Sequence, residues 1–292
     1  LVEPLPRALV WSAAWDMVRD GDLPARRFVE LVANNVASES EVGVLQRLLL
    51  RSVAATERYG DPANRDATFA RLAERARHHL EAAAPGSDHQ LSWAKHWATT
   101  AARGDGAADV RAVLDGELIL DGLAVDTDLR WWLVNALASN GAIDADAIEA
   151  EYRRDPTDIG ERQRAGALAA RPSREAKADA WRRLREEDLS LTVSRNIWAG
   201  FVQLHQPDLA REYVEPYFDA LAPVFSEKSL DWAIEFAEGM YPHGAASQEL
   251  LDRTDEVLAG DELPSPLRRT LLEQRDTLRR TLVARAADAE DA

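Results

Sequence analysis

The 292-residue chain contains no cysteine. Disulfides, thiolate metal sites and cysteine nucleophiles are therefore excluded. Lysine is scarce: Lys95, Lys177 and Lys228 stand among many arginines, a composition bias that carries no functional content. Positive charge is in deficit, with 35 basic against 51 acidic side chains and a formal charge of −16. A phosphate backbone would be repelled, and no basic stripe stands out, so nucleic acid is not an expected partner. The acidity reads as a solvated surface. No run of about 18 apolar residues occurs, so no membrane span is expected. Almost nothing alternates with the period of a strand. The opening LVEPLPRALVW lacks both an initiator Met and a basic stretch leading into an apolar signal core, and reads as the start of a fragment or processed piece.

What is present is helical. A hydrophobic fraction of 46% with 29% charged residues belongs to a globular chain. Its length suits two subdomains or one elongated array. Apolar residues at helical spacing predict helices over 8–19, 24–37, 41–58, 61–84, 87–103, a short one ending at Leu114, then 144–154, 158–171, 173–184, 190–204, 208–224, 229–240 and 247–259. A long Arg-rich helix follows from Ser265-Pro266 and ends in a frayed acidic tail, ARAADAEDA. Start signals include Asp61-Pro62, Ser87 or Asp88, and Asp158 with Glu161 as a capping box. Pro24 is expected in a first helical turn, and Pro216 at a kink or break. The long interruption is 115–141, DGELILDGLAVDTDLRWWLVNALASNG, whose helix carries Leu129, Trp132, Leu133, Ala136 and Leu137 on one stripe. Asp126 or Thr127 can cap that helix and Gly141 can follow it. Trp131 and Trp132 point about 100° apart, one toward each neighbouring layer. About a dozen helices with short connections predict an all-α fold, a HEAT-like α-solenoid of antiparallel helix pairs. A compact two-lobed bundle is the alternative. The expected organisation is one α-helical domain over 1–292, or two subdomains joined near 115–141.

Chemistry is hard to find in the spacing. The histidines are His78, His79, His89, His96, His205 and His243, and none stands in a His-Glu-x-x-His helix. His89 and His96 lie two turns apart and permit a two-ligand metal site, but no third ligand is suggested. Gly104-Asp105-Gly106 lacks the strand and the Gly-Lys-Ser/Thr of a phosphate loop. Asp121, Asp126 and Asp128 do not follow the ligand spacing of a calcium loop and read as helix caps. No Gly-x-Ser-x-Gly elbow occurs. The nine tryptophans are expected in inter-helix packing. Arg195 and Asn196 precede Ile197-Trp198 and project from the non-core side, where a solvated surface outweighs a functional role. No catalytic residue and no metal ligand is assigned, and the residues lining any substrate channel are unknown.

The wording of the chain carries more. RALVWSAAWDMVRDGDLPARRFVELV (7–32), PGSDHQLSW (85–93), LDGELILDGLAVDTDLRWWLVNALASNGAID (114–144), RDPTDIGERQRAGALAARPSREAKADAW (154–181) and YVEPYFDAL (213–221) run in collinear order. Together they resemble the C-terminal half of the actinobacterial aminopeptidases N, in the M1 zinc aminopeptidase family. That helical domain is shared with the antigen-trimming aminopeptidases. The resemblance implies that zinc sits in an upstream thermolysin-like domain, held by His-Glu-x-x-His and a distal Glu. A Gly-x-Met-Glu-Asn strand there grips the substrate amine. None of these motifs occurs in this chain, so the catalytic domain is absent and no cofactor is expected here. The implied role is to close over the active site, enclose a peptide chamber and limit entry. The implied partners are the upstream catalytic domain and peptide substrate. The absence of cysteine fits a cytoplasmic protein, and an exposed former interdomain face predicts self-association of the isolated piece. An independent helical scaffold for protein partners is the other reading. An intact enzyme with an unrecognised site is the third.

Overall fold

A computed structural model describes residues 4–260 and 263–291. The fold is all-α: among the described residues there are sixteen α-helices and no strand. The chain divides into two compact units, 1–137 with 283–292, and 138–282.

In the first unit, α1 (Pro4–Asp20), α2 (Ala25–Asn35), α3 (Val42–Ala54), α4 (Arg65–Ala82), α5 (Asp88–Ala101), α6 (Ala107–Asp115) and the start of α7 (Thr127–Ser139) follow in order. Side chains set several starts. Asp61 accepts from the Ala63 amide at 3.0 Å, Ser87 Oγ from Gln90 at 3.1 Å, and Asp126 from Leu129 at 2.9 Å. Each satisfies an amide that has no partner in a first helical turn. Pro24 is the residue before α2 rather than a residue of its first turn. α3 runs on into a π-turn, Ala55–Tyr59. Val18, Phe28, Leu45, Leu48, Leu80, Leu129 and Leu133 fill the core. Trp15 lies 5.6 Å from both Phe28 and Tyr59.

The central helix corrects one expectation. Trp131 is 2% exposed and Trp132 is 41% exposed. The buried stripe is therefore Leu129, Leu133, Val134 and Leu137 with Trp131 beside them, and Trp132 faces outward. Adjacent positions differ by about 100° around a helix, so only one of the pair can enter a given core.

The second unit takes the end of α7, then α8 (Ala145–Arg154), α9 (Asp158–Ala170), α10 (Arg174–Glu186), α11 (Leu191–Phe201), α12 (Pro207–Arg211), α13 (Val214–Glu227), α14 (Leu230–Gly239), α15 (Gln248–Leu258) and most of α16 (Ser265–Glu290). Gly141, at φ 72°, follows α7 in the left-handed turn that glycine tolerates. Asp144, Thr157, Ser173, Ser190, Ser229 and Ser247 each cap the next helix through the side chain. Thr157, not Asp158, is the cap of α9, so the Asp158–Glu161 box does not form. The segment expected as one helix over 208–224 is two, broken at 212–213, and Pro216 sits in the first turn of α13 where no helical amide is lost. Pro223 lies inside α13.

α9 and α11 cross with their backbones nearly touching. A Cβ on Gly200 would stand 2.1 Å from the Gly166 carbonyl oxygen, so position 200 requires glycine, while a Cβ on Gly166 would make a tight 3.0 Å contact with the Asn196 carbonyl oxygen. An aromatic cluster of Trp181, Phe201, Tyr213, Tyr217, Phe236 and Tyr241 fills the space beside that crossing. Burial pushes the Tyr241 hydroxyl up to about 12, and it pairs with Thr254 at 2.6 Å.

The acidic end is not frayed. α16 stays helical through Glu290, and its residues from Val283 on belong to the first unit. Asp288 is buried there, accepting from the backbone amides of Arg26 at 2.7 Å and Asp61 at 2.8 Å. The Arg285 guanidinium donates to the Arg58 carbonyl at 2.9 Å. An acidic side chain that satisfies two amides is held in place by those bonds, which composition alone does not reveal. Ala292 lies outside the described residues.

Candidate functional site

A groove of about 340 Å³ lies in the first unit between α3, α5 and α7. α3 contributes Gln46, Leu49, Leu50 and Val53, and α5 contributes Ser92, Lys95, His96 and Thr99. Both sets follow the i, i+3, i+4, i+7 spacing that places side chains on one helix face. The two faces oppose each other, and Trp132 of α7 completes the wall.

Most polar groups in this groove already have partners. Gln46 Nε2 donates to Ser92 Oγ at 3.1 Å, and Ser92 Oγ donates to the Asp88 carbonyl at 2.7 Å. Thr99 Oγ1 donates to the Lys95 carbonyl at 2.9 Å. The indole N–H of Trp132 donates to that same carbonyl at 2.9 Å and to Thr99 Oγ1 at 3.1 Å. The Lys95 ammonium pairs with Asp128 at 2.5 Å and lies 5.0 Å from the Trp132 ring centroid. His96 differs. It is 7% exposed, and its ring makes no hydrogen bond with a described residue. Burial disfavours the imidazolium and lowers its pKa to about 4. At neutral pH the ring thus carries one donor and one acceptor.

A second depression, about 450 Å³, lies in the other unit between α9, α10 and α11. Of its charged groups, Asp179 pairs with Arg182 at 2.8 Å, Arg183 pairs with Glu187 at 3.1 Å, and Arg171 Nε donates to the Leu168 carbonyl at 3.3 Å.

Close by, Lys177 is 2% exposed. Its Nζ donates to the carbonyls of Ala169 at 2.8 Å, Phe201 at 3.0 Å and Gly200 at 3.3 Å. These are the C-terminal ends of α9 and α11, where helix dipoles favour a cation. Burial pushes the ammonium down to about 7, and the three carbonyls act in the opposite sense. Lys177 sits seven residues before Leu184 and three before Ala180, on the apolar stripe of α10. That placement is the signal that sequence reading passed over.

The remaining candidates fall apart spatially. His89 contacts the Glu39 carbonyl at 3.2 Å, two turns from His96. Among the described residues no group of three His, Asp or Glu side chains is arranged to hold a metal. Asp126 caps α7, Asp128 pairs with Lys95, and Asp121 offers its carbonyl to Gln90 Nε2 at 2.7 Å. Arg195 is paired with Glu235 at 2.6 and 2.5 Å, and Asn196 donates to the Thr192 carbonyl. Trp11, Trp93, Trp97, Trp131, Trp198 and Trp232 are buried. His205 and His243 meet the Ser139 carbonyl and Gln274 Oε1 at 2.8 and 2.7 Å. No described helix is long and apolar enough to cross a membrane.

Comparison with known proteins gives two findings. Residues 1–280 match the family described as the ERAP1-like C-terminal domain. The chain is also 45% identical over 288 residues to the Aminopeptidase N of Streptomyces lividans, a match that takes in 98% of this chain and 34% of the relative. The chain thus spans about a third of the length of that relative.

Proposed function

Because the chain belongs to the ERAP1-like C-terminal domain family, we propose that it works as the closing domain of a zinc aminopeptidase, one that removes N-terminal residues from peptides. The observation that carries this reading is the near-complete collinear match to one third of an aminopeptidase N. Two thirds of that relative lie outside the match, and the proposal places the catalytic machinery there. In this proposal zinc and the general base belong to the upstream segment. No described cluster in this chain suits a metal, so no step of hydrolysis is assigned to its residues. Its part is to cover the reaction centre, exclude bulk water and restrict entry to peptides, the roles by which closing domains protect and select a reaction.

An exposed face supports a partner surface. α1 leaves Leu5, Leu9, Val10 and Met17 exposed. Apolar side chains gathered on one element mark a surface that another protein segment covers. The proposed occupant is the upstream segment of the same polypeptide. In isolation that face is expected to self-associate, which sedimentation at increasing concentration checks.

The functional test mixes the purified chain with a separately made upstream segment and follows hydrolysis of an aminoacyl reporter and of longer peptides. Association and a shifted ratio of reporter to peptide turnover are the expected results. No association and no change in either rate would remove the proposal and leave the independent scaffold.

A further inference from the structure

We propose that the groove between α3, α5 and α7 is a binding site for a small neutral aromatic group that carries one hydrogen-bonding function, a phenol or an indole, and that His96 reads that function. Three observations converge on this chemistry. The space, about 340 Å³, falls in the size range of small-molecule sites and holds a single aromatic ring with room to spare. Its walls are apolar where they are free: Leu49, Leu50 and Val53 on one side and the Trp132 ring on the other, with Leu50 68% exposed at the rim. His96 is the buried lining group whose ring makes no hydrogen bond with a described residue, whereas Ser92, Thr99, the Trp132 indole and the Gln46 side-chain N–H are engaged with one another and with the backbone.

Charge selects against an acid. Among the described residues the cation lining the groove is Lys95, and Asp128 pairs with it at 2.5 Å. A carboxylate entering the groove would lose its hydration without gaining a free positive partner. A phenol hydroxyl or an indole N–H carries no such penalty, and a neutral imidazole can accept from either. The ring itself packs on Trp132 and the leucines. This assignment stands apart from the closing-domain reading and does not depend on it.

The test uses the 292-residue chain and four probes: p-cresol, indole, toluene and 4-methylbenzoate. Binding is followed by calorimetry and by the His96 ring Cε1–H resonance, identified by its absence in H96F. Saturable binding of p-cresol and indole with a shift of that resonance is expected. Preference for p-cresol over toluene is expected to be roughly tenfold, the worth of one hydrogen bond in a buried site. In H96F that preference falls to near unity while toluene still binds. L50W, at an exposed position that the fold does not need, blocks the groove and abolishes binding of all probes. N-acetyltyrosinamide separates the sources: binding equal to p-cresol supports a tyrosine side chain as the natural occupant, and its exclusion supports a free phenol. The proposal is overturned by an unmoved His96 resonance, by a p-cresol to toluene ratio that survives H96F, by unchanged binding in L50W, or by 4-methylbenzoate binding as tightly as p-cresol.

Discussion

Replacing Lys177 by methionine tests how the second unit is held together. The substitution keeps an unbranched side chain of similar length in the same space and removes the donor. The Ala169 carbonyl then loses the Lys177 ammonium, whereas the Gly200 and Phe201 carbonyls keep bonds from the Gln203 side-chain amide and backbone amide at 3.1 Å each. A buried acceptor left unsatisfied costs about 1–3 kcal/mol, and the two partly satisfied ones cost less, so a loss of about 3 kcal/mol is expected near pH 10, and a smaller one at pH 7 where the wild type also bears the cost of discharging the lysine. For a chain of this size that lowers the thermal midpoint by roughly 6–12 °C. Circular dichroism melts and urea midpoints measure it. The pH dependence adds a second readout. Folding lowers the Lys177 pKa from its ordinary 10.5 to about 7, so between these values the unfolded chain holds a proton that the folded chain releases. Stability of the wild type therefore rises with pH across that window, by about 1.4 kcal/mol per unit, relative to K177M. A K177M protein within roughly 1 kcal/mol of wild type near pH 10, where folding hardly has to discharge the lysine, would refute the idea that this lysine ties α9 to α11. Parallel pH profiles of the two proteins from 7 to 10 would refute the lowered pKa.

Other changes probe other contacts. G200A drives a methyl group into the Gly166 carbonyl at 2.1 Å and is expected to cost roughly 3 kcal/mol by separating α9 from α11, read by urea unfolding. W131A empties a fully buried site and is expected to cost about 3–5 kcal/mol, while W132A, at a 41% exposed position, costs under about 1 kcal/mol; equal effects would show that the wrong tryptophan is placed inside. D288A strips the acceptor from the Arg26 and Asp61 amides and is expected to cost about 2–4 kcal/mol, with faster hydrogen exchange at those two amides and D288N intermediate.

Helix limits were readable because they depend on local chemistry. Asp61, Ser87, Asp126, Asp144 and Ser173 cap helices through their own side chains, a bond formed within three residues of sequence. Where two caps compete, as at Thr157 and Asp158, the pattern does not decide, since either oxygen can reach a first-turn amide. Long-range facts were not readable. Trp131 and Trp132 have the same chemistry, and only the position of their neighbours sends one inward. The acids of the C-terminal segment look solvated until Asp288 meets amides more than two hundred residues away. The groove shows the same limit. The one-face spacing on α3 and on α5 is visible in the sequence, but the pairing of those two faces, with α4 between them in the chain, is tertiary.

The path of α16 also orders events in time. Residues 283–290 complete the first unit, yet they follow the whole of the second unit in the chain. During synthesis, at about 5–20 residues per second, the interval between the two parts of the first unit is on the order of ten seconds. Throughout that interval the Arg26 and Asp61 amides wait for Asp288. The second unit, continuous in sequence, can mature while the first remains open. The earlier half of the chain is thus the later one to be finished, and a nascent chain stalled before Val283 carries a closed second unit beside an unfinished first.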